Sequence, residues 1–135
     1  MSVGVVIVTH YGLGEQFLQA LKLIVPEAPN FRAVSIEPKS SVDEIRGAIG
    51  DAIKQVDSGK GVLLLTDMFG GTPSNISLSF LSEGSVEVVT GVNLPMLIKL
   101  ATLRGEKSIG DLATFIKEYG RRNISVATEL LPDRE

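Results

Sequence analysis

The sequence predicts an α/β fold, an open and mainly parallel sheet covered by helices, on three observations. Short apolar runs bounded by turn residues alternate with longer stretches of helical period, in the order strand, helix, strand, helix. One run, GVLLLTD, is apolar on both faces over residues 62–65, as a central parallel strand is. The helical stretches carry start signals, namely Ser41 and Glu44 at capping-box spacing and Pro73 where a helix begins. Repeated alternation of this kind implies strands in parallel with helices packed on the sheet.

Each element follows from its residues. The first strand is expected over residues 3–9. The next helix carries Phe17, Leu18, Leu21, Ile24 and Val25 on one face, and Pro26 and Pro29 stop it. A second strand covers about residues 31–37. The helix opened by Ser41 presents Val42, Ile45, Ile49, Ile53 and Val56 at helical spacing; Gly47 and Gly50 weaken it, so burial must hold it. The third strand ends at Asp67. After the loop MFGGT, Thr72 is the expected N-cap, with Pro73 behind it and Ile76, Leu78, Phe80 and Leu81 following. A fourth strand, SVEVVTG, precedes helical segments around residues 94–103 and 108–119. In NISVATELL the apolar Ile124 and Val126 alternate with polar residues, which suits a half-exposed edge strand, antiparallel to the rest. An exposed edge invites pairing with another chain, so a homodimer built through this segment is expected.

Composition narrows the class. With 135 residues, 44% of them hydrophobic, and a net charge of −3, the chain reads as one domain, 1–135, with enough apolar residues to bury a core. Nucleic acid is not an expected partner, because the only adjacent basic pair is Arg121 and Arg122 and no aromatic residues interleave a basic stripe. The absence of cysteine excludes disulfides, thiolate nucleophiles and thiolate metal sites, and no metal or cofactor is expected. No basic region precedes a long apolar segment, and no run approaches the roughly 20 apolar residues of a membrane span, so a cytoplasmic location is expected.

The single histidine, His10, closes the first strand in VTH, before a loop punctuated by Gly12 and Gly14. Ligands of open α/β sheets bind beyond the carboxyl ends of the strands, and Asp67 closes the third strand on that same edge. If the two strands are neighbours, the carboxylate can accept a hydrogen bond from one ring nitrogen and leave the other nitrogen's lone pair free as a nucleophile. Gly70 and Gly71, followed by Thr72 and Pro73, expose backbone N–H groups at a helix start, which is a cradle for phosphate. The loop is not of the GxxxxGK type, and no magnesium ligand cluster accompanies it, so a nucleophilic histidine would take its phosphoryl group from another phosphoprotein.

Each residue has an ordinary structural alternative. His10 can be a hydrogen-bonded strand-end residue, Asp67 and the two glycines can serve the turn, and Thr72 can do no more than cap the helix. A different reading starts from Gly12 and Gly14, which resemble the opening of a dinucleotide fingerprint with Glu37 as the ribose-binding acid. There, however, Phe17 occupies the position of the third glycine and would block close packing of helix on strand.

VTH at the end of the first strand together with DMFGGTPSN at the end of the third resembles the IIA component of the mannose family of phosphoenolpyruvate-dependent sugar phosphotransferase systems. The resemblance extends from Val3 to about Leu130. It implies a doubly wound domain that dimerises through its last strand, and a phosphoryl relay in which His10 takes a phosphoryl group from the histidine phosphocarrier protein. His10 would then pass the group to a IIB component, which phosphorylates the sugar at the membrane permease. It also implies that His10 reacts through Nε2, that Asp67 orients Nδ1–H, and that the Thr72 hydroxyl, with Gly70 and Gly71, binds the phosphoryl oxygens. Tyr11, Met68 and Phe69 would dock the partner proteins. The stretch YGLGEQF after His10 is variable in the family. No IIB domain follows in this sequence, so the IIB component is expected on a separate chain. A regulatory phosphoprotein module of the same family, without a dedicated permease, is the alternative. The GGTP run favours the sugar branch over the branch that serves dihydroxyacetone kinase.

Overall fold

The computed structural model describes residues 2–27, 30–103 and 107–131. Its strands are β1 (Gly4–His10), β2 (Phe31–Ile36), β3 (Val62–Thr66) and β4 (Val86–Thr90). Its helices are α1 (Leu13–Ile24), α2 (Val42–Val56), α3 (Thr72–Leu78), α4 (Leu94–Thr102) and α5 (Ile109–Arg122). The four strands are parallel in the order β2-β1-β3-β4. The expected α/β class and parallel sheet are thus what the chain forms.

Strand alternation divides the core into two layers. Val5, Ile7, Leu63, Leu65 and Val89 point to one face, where Leu21 of α1, Met96 and Leu97 of α4 and Ile116 of α5 cover them. Val6, Val8, Val62 and Leu64 point to the other, against Ile45, Ile49, Ala52 and Val56 of α2 and Ile76 of α3. Because β1 and β3 are buried on both faces, their apolar residues run without interruption. Each such side chain removed from water contributes about 1.5–3 kcal/mol. The α2 capping box is formed: Ser41 Oγ accepts from the Glu44 N–H at 3.1 Å and Glu44 Oε1 accepts from the Ser41 N–H at 2.9 Å.

The sheet order decides where a ligand can sit. The chain leaves β1 for α1 on one face and leaves the neighbouring β3 for α3 on the other. A crevice opens where the connections diverge, beyond the carboxyl ends of these two central strands.

Several expectations need correction. The first strand runs through His10, one residue past its expected end. The third helix stops at Leu78, so Phe80 and Leu81 lie beyond it. The N-cap of α3 is Gly71, not Thr72, which is the first helical residue. Pro29, expected to help stop α1, lies outside the described residues. The expected antiparallel edge strand is absent from the four-stranded sheet: Asn123 ends α5, and Ala127–Leu130 forms a 3-10 turn. The reason is local. Glu129 N–H donates to Val126 O at 2.9 Å and Glu129 Oε1 accepts from Val126 N–H at 3.3 Å, so these backbone groups find partners within the segment.

Candidate functional site

The β1–β3 register brings the two candidate residues together. Val8 is paired with Thr66, so the residues after them, at the ends of adjacent strands, emerge side by side at the crevice. Asp67 Oδ2 accepts from the His10 backbone N–H at 3.0 Å and lies 2.8 Å from His10 Nδ1. One carboxylate oxygen therefore holds both the main chain and the ring of His10. The other, Oδ1, is buried without a hydrogen-bond partner among the described residues.

Burial of Asp67 opposes its ionisation, but the hydrogen bonds from the His10 ring and backbone, with the attraction of the imidazole, outweigh it and hold its pKa below the ordinary aspartate value. An ionised carboxylate can only accept, so Nδ1 carries the hydrogen. In the neutral ring Nε2 then keeps its lone pair, and a side chain that is 46% exposed offers that lone pair to an incoming group.

What lies on the Nε2 side is the turn into α3. Gly70 and Gly71 take φ values of +85° and +86°, the left-handed region that a side chain disfavours. A Cβ placed on Gly71 would lie 3.4 Å from His10 Nε2 and 3.5 Å from Cε1, so a methyl group there would sit in van der Waals contact with the imidazole edge. Gly71 has no side chain to cap α3, so its helix start has no N-cap side-chain hydrogen bond among the described residues.

The remaining candidates sort themselves around this pair. Thr72 is exposed, and its hydroxyl makes no hydrogen bond among the described residues, so it does not serve as the expected helix cap. Tyr11, Met68 and Phe69 are all more than half exposed on the two loops that leave the crevice. Tyr11 also adopts φ +48°, unusual for a bulky residue, while its N–H extends the β1–β2 ladder to Ile36 O at 2.8 Å. The fingerprint reading of Gly12 and Gly14 finds another explanation. A Cβ on Gly14 would meet Thr9 Oγ1 at 3.2 Å and Ile7 O at 3.3 Å, so this glycine seats α1 against β1.

Two residues escaped sequence reasoning. Thr9 and Thr66 are wholly buried at the ends of β1 and β3, each immediately before a candidate site residue. A buried hydroxyl must find a partner, so a threonine ending an otherwise apolar strand was the available signal. Among the described residues no group of three or more histidine or carboxylate side chains could hold a metal ion. No helix there is long and apolar enough to cross a membrane.

Comparison with known proteins identifies a family. The family model described as the fructose IIA component of the phosphotransferase system matches residues 4–117. The sorbose-specific EIIA component of Lacticaseibacillus casei is 30% identical over 113 residues, which cover 83% of this chain and 81% of that protein. The mannose-specific EIIAB component of Escherichia coli is 29% identical over 126 residues, 92% of this chain. The match spans 39% of that longer relative. Among solved structures, the mannose/sorbose-specific IIA subunit from Enterococcus faecalis superimposes with a TM-score of 0.83 at 24% identity, covering 93% of this chain and 95% of that one. It shares the fold.

Proposed function

The chain belongs to the IIA family of the phosphotransferase system described by that model, and from this premise we propose that His10 is its phosphoryl-carrying residue. Members of the family are phosphotransferases that pass phosphoryl groups by way of histidine, taking them from a histidine phosphocarrier protein and handing them to a IIB component. The observation that supports His10 is the 2.8 Å contact of Nδ1 with Asp67, with Nε2 left facing the Gly71 backbone.

The step balances without a cofactor. The Nε2 lone pair attacks the phosphorus of the carrier's phosphohistidine, a P–N bond forms to His10, and the bond to the carrier breaks, returning its electron pair to the carrier's ring. Nδ1 keeps its hydrogen, and the Asp67 carboxylate stabilises the ring as it gains positive character. Transfer to the IIB component repeats the exchange in the other direction. Because such a transition state is loose, positioning and electrostatic stabilisation carry most of the acceleration. The start of α3, which no side chain caps, with the Thr72 hydroxyl and the close approach allowed at Gly70 and Gly71, suits the phosphoryl oxygens. Tyr11, Met68 and Phe69 supply apolar surface for the two partner proteins.

The reading extends to the assembly. Residues 1–135 act as one IIA domain in the cytoplasm, with the sugar permease engaged through the IIB component. The chain works as a homodimer. Among the described residues no strand pairs with the outer edge of β4, where only the Ser82–Val86 bridge covers its first residue, and a groove between β4 and α5 is lined by Glu87, Val88, Thr90, Ala113, Thr114 and Lys117. Ile124 and Val126 are exposed, and residues 124–126 suit a strand added to that edge in a second copy.

Intact-mass spectrometry tests the central claim. After incubation with phosphoenolpyruvate, enzyme I and the phosphocarrier, the wild type is expected to gain one acid-labile phosphoryl group and His10→Ala none. A wild type that stays unmodified while the carrier is phosphorylated would refute it.

A further inference from the structure

The turn that carries His10 is closed by a single buried hydroxyl. Thr9 Oγ1 accepts from the Gly14 N–H at 2.8 Å and donates to Tyr11 O at 3.3 Å, and Thr9 has no exposed surface. The first of these bonds serves α1. Its N-cap is Gly12, which has no side chain, and Thr9 supplies the oxygen from the preceding strand. The second holds the carbonyl of Tyr11, whose backbone sits in the left-handed region at φ +48°. His10 lies inside the ring of chain so formed. Its neighbour Tyr11 is tied to Ile36 O at 2.8 Å on the β2 side, and its own N–H is tied to Asp67 on the β3 side.

From this arrangement we propose that Thr9 is a positioning residue for His10: its hydroxyl fixes the strand-to-helix turn so that the imidazole presents Nδ1 to Asp67 and Nε2 to the Gly71 backbone. Helix capping alone does not account for the device, because it recurs where no helix start is involved. Thr66, equally buried, donates to Met68 O at 3.3 Å, spanning Asp67 as Thr9 spans His10. Both members of the pair are therefore preceded by a buried threonine bonded to the carbonyl two residues ahead. Gly14 belongs to the same device. With its added Cβ only 3.2 Å from Thr9 Oγ1, it is the residue that lets α1 approach the hydroxyl.

The proposal deepens the phosphoryl-carrier reading and rests on it for its kinetic readout, but not for its spectroscopic one. Because the chain has one histidine, nitrogen NMR of the imidazole reports the tautomer of His10 without overlap. Thr9→Val keeps the shape and removes the hydroxyl. It is expected to lose the uniform Nδ1–H signature and to slow phosphorylation by the carrier about tenfold or more at saturation, since small misplacements of a reacting group cost that much. KM for the carrier is expected to stay unchanged, because a residue with no exposed surface cannot touch a partner. Thr9→Ser, which keeps the hydroxyl, is expected to restore both readouts, and Gly14→Ala to weaken both. Rates are referred to the folded fraction measured by thermal unfolding. A Thr9→Val protein with wild-type tautomer and saturated rate overturns the proposal, as does a Thr9→Ser protein no better than Thr9→Val, which would assign the effect to methyl packing. If the wild type takes no phosphoryl group, the carrier reading fails while the tautomer of the three variants still decides the role of Thr9.

Discussion

His10 can act as a nucleophile only if one ring nitrogen is engaged and the other is free, and a single oxygen of Asp67 arranges this by accepting from both the ring and the backbone of His10. A charge-assisted bond of this kind contributes about 1.5–3 kcal/mol. Asp67→Asn keeps the shape but replaces the charge, so phosphorylation is expected to slow by roughly 10- to 100-fold while the fold persists, read by circular dichroism beside a phosphotransfer time course. The lowered pKa of Asp67 also sets a pH window. Because the folded value lies below the ordinary 3.8, the ionised carboxylate stabilises the native state above that value. The contribution is lost as pH falls through the lower, folded pKa. The stability advantage of wild type over Asp67→Ala is therefore expected to be flat near neutrality and to shrink below about pH 4, as denaturant midpoints across that range will report.

At the scale of elements, the crevice depends on two strand-to-helix turns with opposite solutions to the same problem. The α1 start lacks a side-chain cap at Gly12 and borrows the hydroxyl of Thr9, whereas the α3 start leaves its first N–H groups uncapped beside His10. Uncapped donors at the positive end of a helix favour an anion there, and the left-handed Gly71, next to the imidazole, immediately precedes them. Gly71→Ala forces a side chain into that backbone region, at a cost of about 1–2 kcal/mol, and sets a methyl group against Nε2. The variant is expected to melt at a lower temperature and to accept phosphoryl groups more slowly than the melting change explains. A normal rate in the folded fraction would show that Nε2 needs no open approach on this side.

For the whole molecule, the parallel order β2-β1-β3-β4 puts the site at the centre of the sheet and leaves β4 on an open edge. Exposed Ile124 and Val126 follow α5, the helix that lines the groove beside that edge. Pairing of residues 124–126 with β4 of a second copy would bury both. Ile124→Asp is expected to shift the protein from dimer to monomer in sedimentation velocity, with the contacts between His10 and Asp67, which do not involve Ile124, retained. A wild type that sediments as a monomer would remove the segment from any role in assembly.

Much of this molecule was legible before its structure. Uninterrupted apolar runs mark β1 and β3, because strands buried on both faces admit few polar residues, and Ser41 with Glu44 marks the start of α2 through chemistry confined to four residues. The placement of His10 and Asp67 at strand ends was equally local, and their meeting needed only that the strands be neighbours. Thr72 could not be told from Gly71 as the cap, since Pro73 is compatible with either and the decision lies in the left-handed backbone of Gly71. Residues 124–131 alternate as a strand does, yet a strand requires a partner, and within one chain local bonds to Glu129 took its place. The sequence by itself determined which side chains end the strands and therefore which chemistry is available. Only the tertiary structure decided the strand register, the threonine hydroxyl behind His10 and the glycine in front of it, because those depend on hydrogen bonds between segments that the chain order does not specify.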